Sequence, residues 1–190
     1  MLPMGLHRPS SNARRYAHAG RPIGVTCTDS PLGRVLVATT DTGLCAVYLG
    51  DDDTALLQTL YAEFPAAHIG SGPAPKAAAA AIAAYLCDQT PLPVLSLDPV
   101  GTSFQRLVWQ ALCRIPYGET RTYRQLAGDL SLPASAARAV GQACAANSLA
   151  IVIPCHRAIG ADGRIAGFRW GIARKQALLM GEGVFLPYLE

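Results

Sequence analysis

The sequence predicts a mixed α/β (α+β) fold: a small N-terminal antiparallel sheet with helices, followed by a mainly helical C-terminal domain with a helix-turn-helix. Three observations predict it. Residues 23–49 hold short apolar runs separated by turn residues. Helix-opening signals recur after residue 100. Between these patterns, Thr90 to Pro99 carries three prolines and reads as an extended linker. The chain of 190 residues, 51% hydrophobic, is long enough for one or two cores. We divide it into a disordered tail (1–21), an N-terminal α/β domain with its linker (22–98) and a C-terminal domain (99–190).

The tail contains Arg8, Arg14 and Arg15 but no continuous apolar stretch, so it is not a secretory signal. It is basic and acid-free like an organelle transit peptide, but the simpler reading is a disordered tail. Strands are expected at Ile23–Thr28, Arg34–Thr39 and Leu44–Leu49, with turns at Asp29-Ser30-Pro31-Leu32-Gly33 and Asp41-Thr42-Gly43. Leu56, Leu57, Leu60 and Phe64 have helical spacing, giving a helix from Asp53 to Phe64 that Pro65 ends. Lys76 to Cys87 is a second, alanine-rich helix.

In the second half, Thr102-Ser103-Phe104-Gln105 is a capping box for a helix carrying Val108, Trp109 and Leu112. Ile115-Pro116-Tyr117-Gly118 breaks it. Thr122-Tyr123-Arg124-Gln125 is another capping box, for a short helix to about Leu130. Pro133 heads a third helix to about Ala146, so the pair forms a helix-turn-helix pattern. Ile151-Val152-Ile153 reads as a short buried strand, Ala161-Asp162-Gly163 as a hairpin turn, and Ile172–Met180 as a last helix stopped by Gly181.

No apolar run approaches the ~20 residues that span a bilayer. The six cysteines form no CxxC pair, which removes the usual zinc and redox motifs. Several lie in apolar runs, so reduced thiols and a cytoplasmic protein are expected. Residues 1–100 carry 6 Lys+Arg against 8 Asp+Glu, and residues 101–190 carry 10 against 5. The basic excess suits a polyanion partner or a solvated basic face equally well.

The third of these helices, Ala134 to Ala146, is nearly all small residues, with Arg138 its lone long projection. Major-groove reading normally needs long polar side chains. Tight helix packing explains the composition. So does close approach to a narrow minor groove, with one Arg pushed into the base stack. Ile153-Pro154-Cys155-His156-Arg157 is the sharpest local signal. Nucleophilic chemistry needs a thiolate, which a nearby cation or His⁺ favours. Taken alone, the triplet reads by default as a structural cysteine.

Asn147 through Arg157, preceded by Arg138-Ala139-Val140-Gly141 and followed by Glu182-Gly183, resembles the O6-alkylguanine-DNA alkyltransferase family. Thr28–Gly33 and Trp170-Gly171-Ile172 look most like the C-terminal half of bacterial Ada proteins. The resemblance is strongest over 101–183 and weaker over 23–64. The cysteine cluster and the activator helix-turn-helix of Ada's N-terminal half have no counterpart here, so phosphotriester repair and gene regulation are not carried over. The resemblance implies a ribonuclease H-like N-terminal domain and a single-use transfer of an alkyl group from O6 of guanine to Cys155, with O4 of thymine a second candidate donor. His156 would draw off the thiol proton through a water, and Glu182, 27 residues after the cysteine, would orient it. Asn147 would be the hinge before the active-site segment. Tyr123 would donate a hydrogen bond to the guanine ring. Arg138 would replace the flipped base, with Ala137, Ala139, Gly141 and Ala145 against the DNA. Ala158, Phe168 and Arg169 would form the base pocket, read through backbone groups at Ala158 and Arg169. No cofactor or metal is implied; the partner is double-stranded DNA, bound through the minor groove by a monomer.

Two departures stand out. The Tyr123–Arg138 segment is one residue longer than in some relatives, and Phe168 stands where relatives often have Tyr. Without the resemblance, Asn147 would read as a helix C-cap and Glu182 as a surface acid. Two rival functions are a Cys-His hydrolase, which would turn over, and a recognition-only relative, which would lack the acceptor cysteine.

Overall fold

The computed structural model describes residues 17–70, 72–165 and 167–185. Strands β1 (Pro22–Ser30), β2 (Gly33–Thr39) and β3 (Leu44–Gly50) form an antiparallel meander, with Thr26 opposite Val37 and Val37 opposite Val47. A short strand, β4 (His68–Ile69), joins the far edge parallel to β1, giving the order β3-β2-β1-β4. The β1–β2 turn needs Gly33, whose φ is +94° and where a Cβ would meet the Gly50 carbonyl oxygen at 2.5 Å. Val35–Ala38 and Leu44–Leu49 are buried along their whole length. These strands therefore read as continuous apolar runs rather than alternating ones.

Helix α1 (Asp53–Glu63) is capped by Asp52, which accepts from the Ala55 N–H. Helix α2 (Lys76–Asp88) buries Ala79, Ile82 and Tyr85 and ends at Gln89, which has φ +55°. The linker is tied to the sheet, because the Leu44 N–H donates to Ser96 O and the Asp98 N–H to Leu44 O. Residues 1–16 of the expected tail lie outside the described residues. Residues 17–21 do not behave as a tail: the buried His18 ring lies tilted against Phe64, centroids 5.4 Å apart, and Arg21 pairs with Asp41 and Asp98.

Both expected capping boxes form, on α3 (Ser103–Leu112) and α4 (Tyr123–Asp129). The small-residue helix starts as a 3-10 turn (Ala134–Ala136) and becomes α5 (Ala137–Ala145). Trp109 on α3 donates its indole N–H to Ala143 O at 2.8 Å, fixing α5 against α3. A second, two-strand sheet, β5 (Arg121–Thr122) with β6 (Ala158–Ile159), and helix α6 (Ile172–Gly181) complete the half.

The expected strand at 151–153 is a turn. Only Leu149 bridges to Val47 of β3, through Val47 N–H to Ser148 O (2.8 Å) and Ala150 N–H to Val47 O (3.1 Å). The chain then reverses, with Ile151 at φ +71°, a costly conformation for a β-branched residue. Ala161–Gly163 does turn, but the strand before it, β6, pairs in parallel with β5 rather than in a hairpin. The halves are clamped further by Arg174, which donates to Leu32 O (2.8 Å) and Asp51, and by an Arg169–Glu63 ion pair.

Candidate active site

The turn after α5 exists because Asn147 holds it. Its Nδ2 donates to Ile153 O (2.9 Å), Leu149 O (3.3 Å) and Cys155 Sγ (3.1 Å), while its Oδ1 accepts from the Leu149 N–H (2.9 Å). One buried amide thus folds the backbone and touches the thiol. Cys155 opens a 3-10 turn (Cys155–Arg157) and is buried. Burial pushes its thiol pKa up; the Asn147 bond and the Lys175 ammonium oppose that shift.

His156 is fully buried, and its Nε2 lies 2.7 Å from Glu182 Oε1. Burial would push the Glu182 carboxyl up, but hydrogen bonds from His156, Arg157 and Tyr85 outweigh it and bring its pKa to about 2. Glu182 is therefore ionised and accepts, so Nε2 carries the proton and Nδ1 is the basic nitrogen. Nδ1 is buried and makes no hydrogen bond to the described residues. Burial lowers the pKa of His156 despite the opposing carboxylate, which keeps the ring neutral.

Glu182 is densely bonded. Arg157 donates Nε to Oε2 (2.8 Å) and Nη2 to Oε1 (3.0 Å), and the Tyr85 hydroxyl donates to Oε1 (2.6 Å). Arg157 also donates to Ile115 O at 2.7 Å. Sequence reasoning noted Arg157 without giving it a role, and missed Tyr85, which comes from the N-terminal half.

In front of this cluster lies a cavity of about 270 Å³, walled by Cys155, Tyr123, Gly141, Cys144 and Ala145 on one side and by Gly167, Phe168 and Arg169 on the other. A Cβ on Gly141 would sit 3.8 Å from the Tyr123 ring, an ordinary van der Waals contact, so α5 packs beside that tyrosine here. Burial pushes the Tyr123 hydroxyl up to about 12, so it is a proton donor at neutral pH. Larger grooves exist, one of about 650 Å³ beside Tyr85 and Tyr117, but Cys155 does not line it.

The structure brings Asn147, Cys155, His156 and Glu182 into one bonded cluster. Tyr123, Gly141, Ala145, Phe168 and Arg169 line the cavity in front of it. Arg138 is exposed on α5, with Ala137 and Ala139 half-buried beside it, and none of the three lines the cavity. Ala158 is fully buried and does not line it either, and its carbonyl accepts from Lys175 Nζ (2.5 Å). That oxygen is therefore already engaged. The Arg169 side chain pairs with Glu63 and lies over the Trp170 ring at 4.6 Å.

Lys175 was also missed. It is fully buried, bonded to the Ala158 and Gly167 carbonyls, and 6.0 Å from the Tyr123 ring centroid. Among the described residues no carboxylate pairs with it; its favourable charge interactions are with Cys155 and Cys144. The signal was available: Lys175, Leu178 and Leu179 share one face of α6. Among the described residues no group of three His, Cys, Asp or Glu could hold a metal ion.

Two family models match the chain: the ribonuclease-like domain of 6-O-methylguanine DNA methyltransferase over residues 23–97, and the DNA binding domain of the same family over 103–184. The bifunctional transcriptional activator/DNA repair enzyme Ada of Escherichia coli is 47% identical over 176 residues, covering 90% of this chain and 49% of Ada. The chain thus spans about half the length of that relative. The methylated-DNA–protein-cysteine methyltransferase of Mycolicibacterium paratuberculosis is 41% identical over 151 residues, covering 80% of this chain and 87% of that protein. A crystal structure of Mycobacterium tuberculosis OGT in complex with DNA superposes with a TM-score of 0.70 at 36% identity, covering 85% of this chain and 92% of that one.

Proposed function

The chain belongs to the 6-O-methylguanine DNA methyltransferase family, and from that premise we propose that it repairs DNA by direct reversal, moving the alkyl group from O6 of guanine to Cys155. The observation that carries this reading is a thiol in the wall of a cavity, backed by a buried His156–Glu182 pair.

His156 Nδ1 takes the Cys155 proton through a bridging water, while Glu182 holds Nε2–H and stabilises the imidazolium. Lys175 and the Asn147 amide steady the thiolate. Sulfur attacks the alkyl carbon in line, the carbon–O6 bond breaks, and its electron pair goes to the guanine. A hydrogen bond from Tyr123 to the ring disperses that charge. The product is a thioether with no electrophilic carbonyl, so water cannot restore the thiol and each molecule acts once. No cofactor takes part, because the damaged base brings the alkyl group.

The target base leaves the stack to reach the cavity. Phe168 and the Gly167–Arg169 backbone form the wall against which it lies. Helix α5 sits in the minor groove of double-stranded DNA, its small residues allowing close approach and Arg138 filling the vacated space. The exposure of Arg138, and its lack of a hydrogen bond or ion pair among the described residues, support that role. The protein acts as a monomer; no helix of the described residues is long and apolar enough to cross a membrane.

The test is a titration of duplex carrying radiolabelled O6-methylguanine. Label should move to protein in a burst that stops at one equivalent. Continued turnover would indicate a hydrolase, and binding without transfer would indicate a recognition-only protein.

A further inference from the structure

Tyr85 lies on α2, in the sheet-bearing half, yet its hydroxyl donates at 2.6 Å to the same Glu182 oxygen that holds His156. Its ring is fixed from two sides. It faces inward with Ala79 and Ile82, and it meets Tyr117 edge-on at 6.3 Å. Tyr117 is itself anchored by a bond from its hydroxyl to Gly181 O (2.9 Å), next to Glu182. The sheet-bearing half therefore reaches the buried pair directly.

We propose that Tyr85 is a positioning residue for the alkyl transfer, through which the N-terminal half fixes and saturates the Glu182 carboxylate behind His156. The proposal rests on the function given above. A carboxylate offers about four lone-pair sites. Glu182 fills them with His156, Tyr85 and two bonds from Arg157, with the Gly118 N–H at 3.4 Å besides. A carboxylate so occupied holds Nε2–H in one orientation, and its sharing among several donors tempers how far it draws His156 toward the imidazolium, so the buried ring rests neutral with Nδ1 able to take a proton. Removing the Tyr85 hydroxyl takes one of three donors from Oε1, leaving His156 and Arg157 Nη2 on it. The carboxylate then accepts more strongly from Nε2–H, which favours the imidazolium. The other charged groups acting on His156 are Arg157 and Lys175; both oppose protonation, and Tyr85→Phe leaves them in place.

The experiment compares wild type, Tyr85→Phe and Tyr61→Phe in the full chain. It measures single-turnover transfer from a methylated duplex between about pH 6 and pH 8, and follows the His156 ring nitrogens by NMR. Tyr61→Phe removes the hydroxyl of an exposed tyrosine on α1, away from Glu182, and should match wild type. Tyr85→Phe should slow transfer roughly tenfold at the upper end, the scale of losing a support behind a functional side chain. The loss should widen toward acid, and His156 should titrate at a higher pH. If Tyr85→Phe does not fold, 3-fluorotyrosine at position 85 keeps the shape and strengthens the donor, and His156 should then titrate lower. A Tyr85→Phe rate equal to wild type at every pH overturns the proposal. So does a uniform loss with unmoved His156 titration, or an unmoved titration in the fluorinated protein. If wild type transfers no methyl group, the proposed function fails, while the His156 titrations still decide the role of Tyr85.

Discussion

Replacing Glu182 by Gln keeps the length of the side chain and removes its charge. The carboxylate accepts from Tyr85, His156 and twice from Arg157, and Arg157 is itself largely buried. The amide must present an NH₂ group to some of these donors, and the Arg157 charge loses its counter-ion. Breaking a buried pair in this way costs about 3–5 kcal/mol. The depressed pKa of Glu182 corresponds to a similar figure. Its pKa falls from 4.5 to about 2 on folding, and at about 1.36 kcal/mol per unit that is on the order of 3 kcal/mol. Because the folded pKa is the lower one, this stabilisation is complete above about pH 4.5 and is lost as pH falls through about 2. Glu182→Gln should therefore melt roughly 6–12 °C below wild type at neutral pH, for a chain of this size. The gap should narrow as pH drops below about 4.5 and close near 2. Thermal melts by circular dichroism across that range provide the assay. Equal melting at neutral pH, or a gap that does not change with acid, would refute the bonded-carboxylate account. At a temperature where both proteins are folded, single-turnover transfer should be slower by about 10²–10⁴.

Three further outcomes follow from the same geometry. Arg138→Ala should slow repair of a methylated duplex much more than of a short single strand with the same lesion, since flipping costs least there; equal losses would reduce Arg138 to general DNA affinity. Lys175→Met should raise the Cys155 thiol pKa, slowing iodoacetamide labelling about tenfold per unit; unchanged labelling would make Lys175 only a donor to the Ala158 and Gly167 carbonyls. Leu126→Ala, at a fully buried site on α4, should cost about 2–5 kcal/mol in urea unfolding, and a cost well below that range would contradict the packing described.

Much of the fold was legible because local chemistry and tertiary structure agree. Thr102 with Gln105 and Thr122 with Gln125 satisfy helix ends by themselves, and the turns at Gly33 and Gly43 demand residues without a Cβ. Where the two disagree, sequence reasoning failed. Ile151-Val152-Ile153 has strand composition, but Asn147 draws the Leu149 and Ile153 carbonyls onto one amide and bends the segment into a turn. β4, β5 and β6 are two-residue strands, too short to carry any periodicity. The site divides similarly. Motif resemblance and spacing named Cys155, His156, Asn147 and Glu182, which the fold brings into one bonded cluster. Tyr85 belongs to an alanine-rich helix in the other half, and only the folded chain brings its hydroxyl to Glu182. Ala158 and Arg169 show the converse case. Motif resemblance marks their positions, but only the structure shows the Ala158 carbonyl bonded to Lys175 and the Arg169 side chain paired with Glu63.

The central claim is that Cys155 is the single, irreversible alkyl acceptor. The direct measurement is intact-protein mass, followed by peptide mapping, after mixing with excess duplex containing O6-methylguanine. The account predicts one added methyl group per chain, on the peptide containing Cys155, stable to long incubation, with none added to Cys155→Ser. Methyl on Cys27, Cys45 or Cys144 instead, or unmodified protein beside repaired DNA, would contradict it.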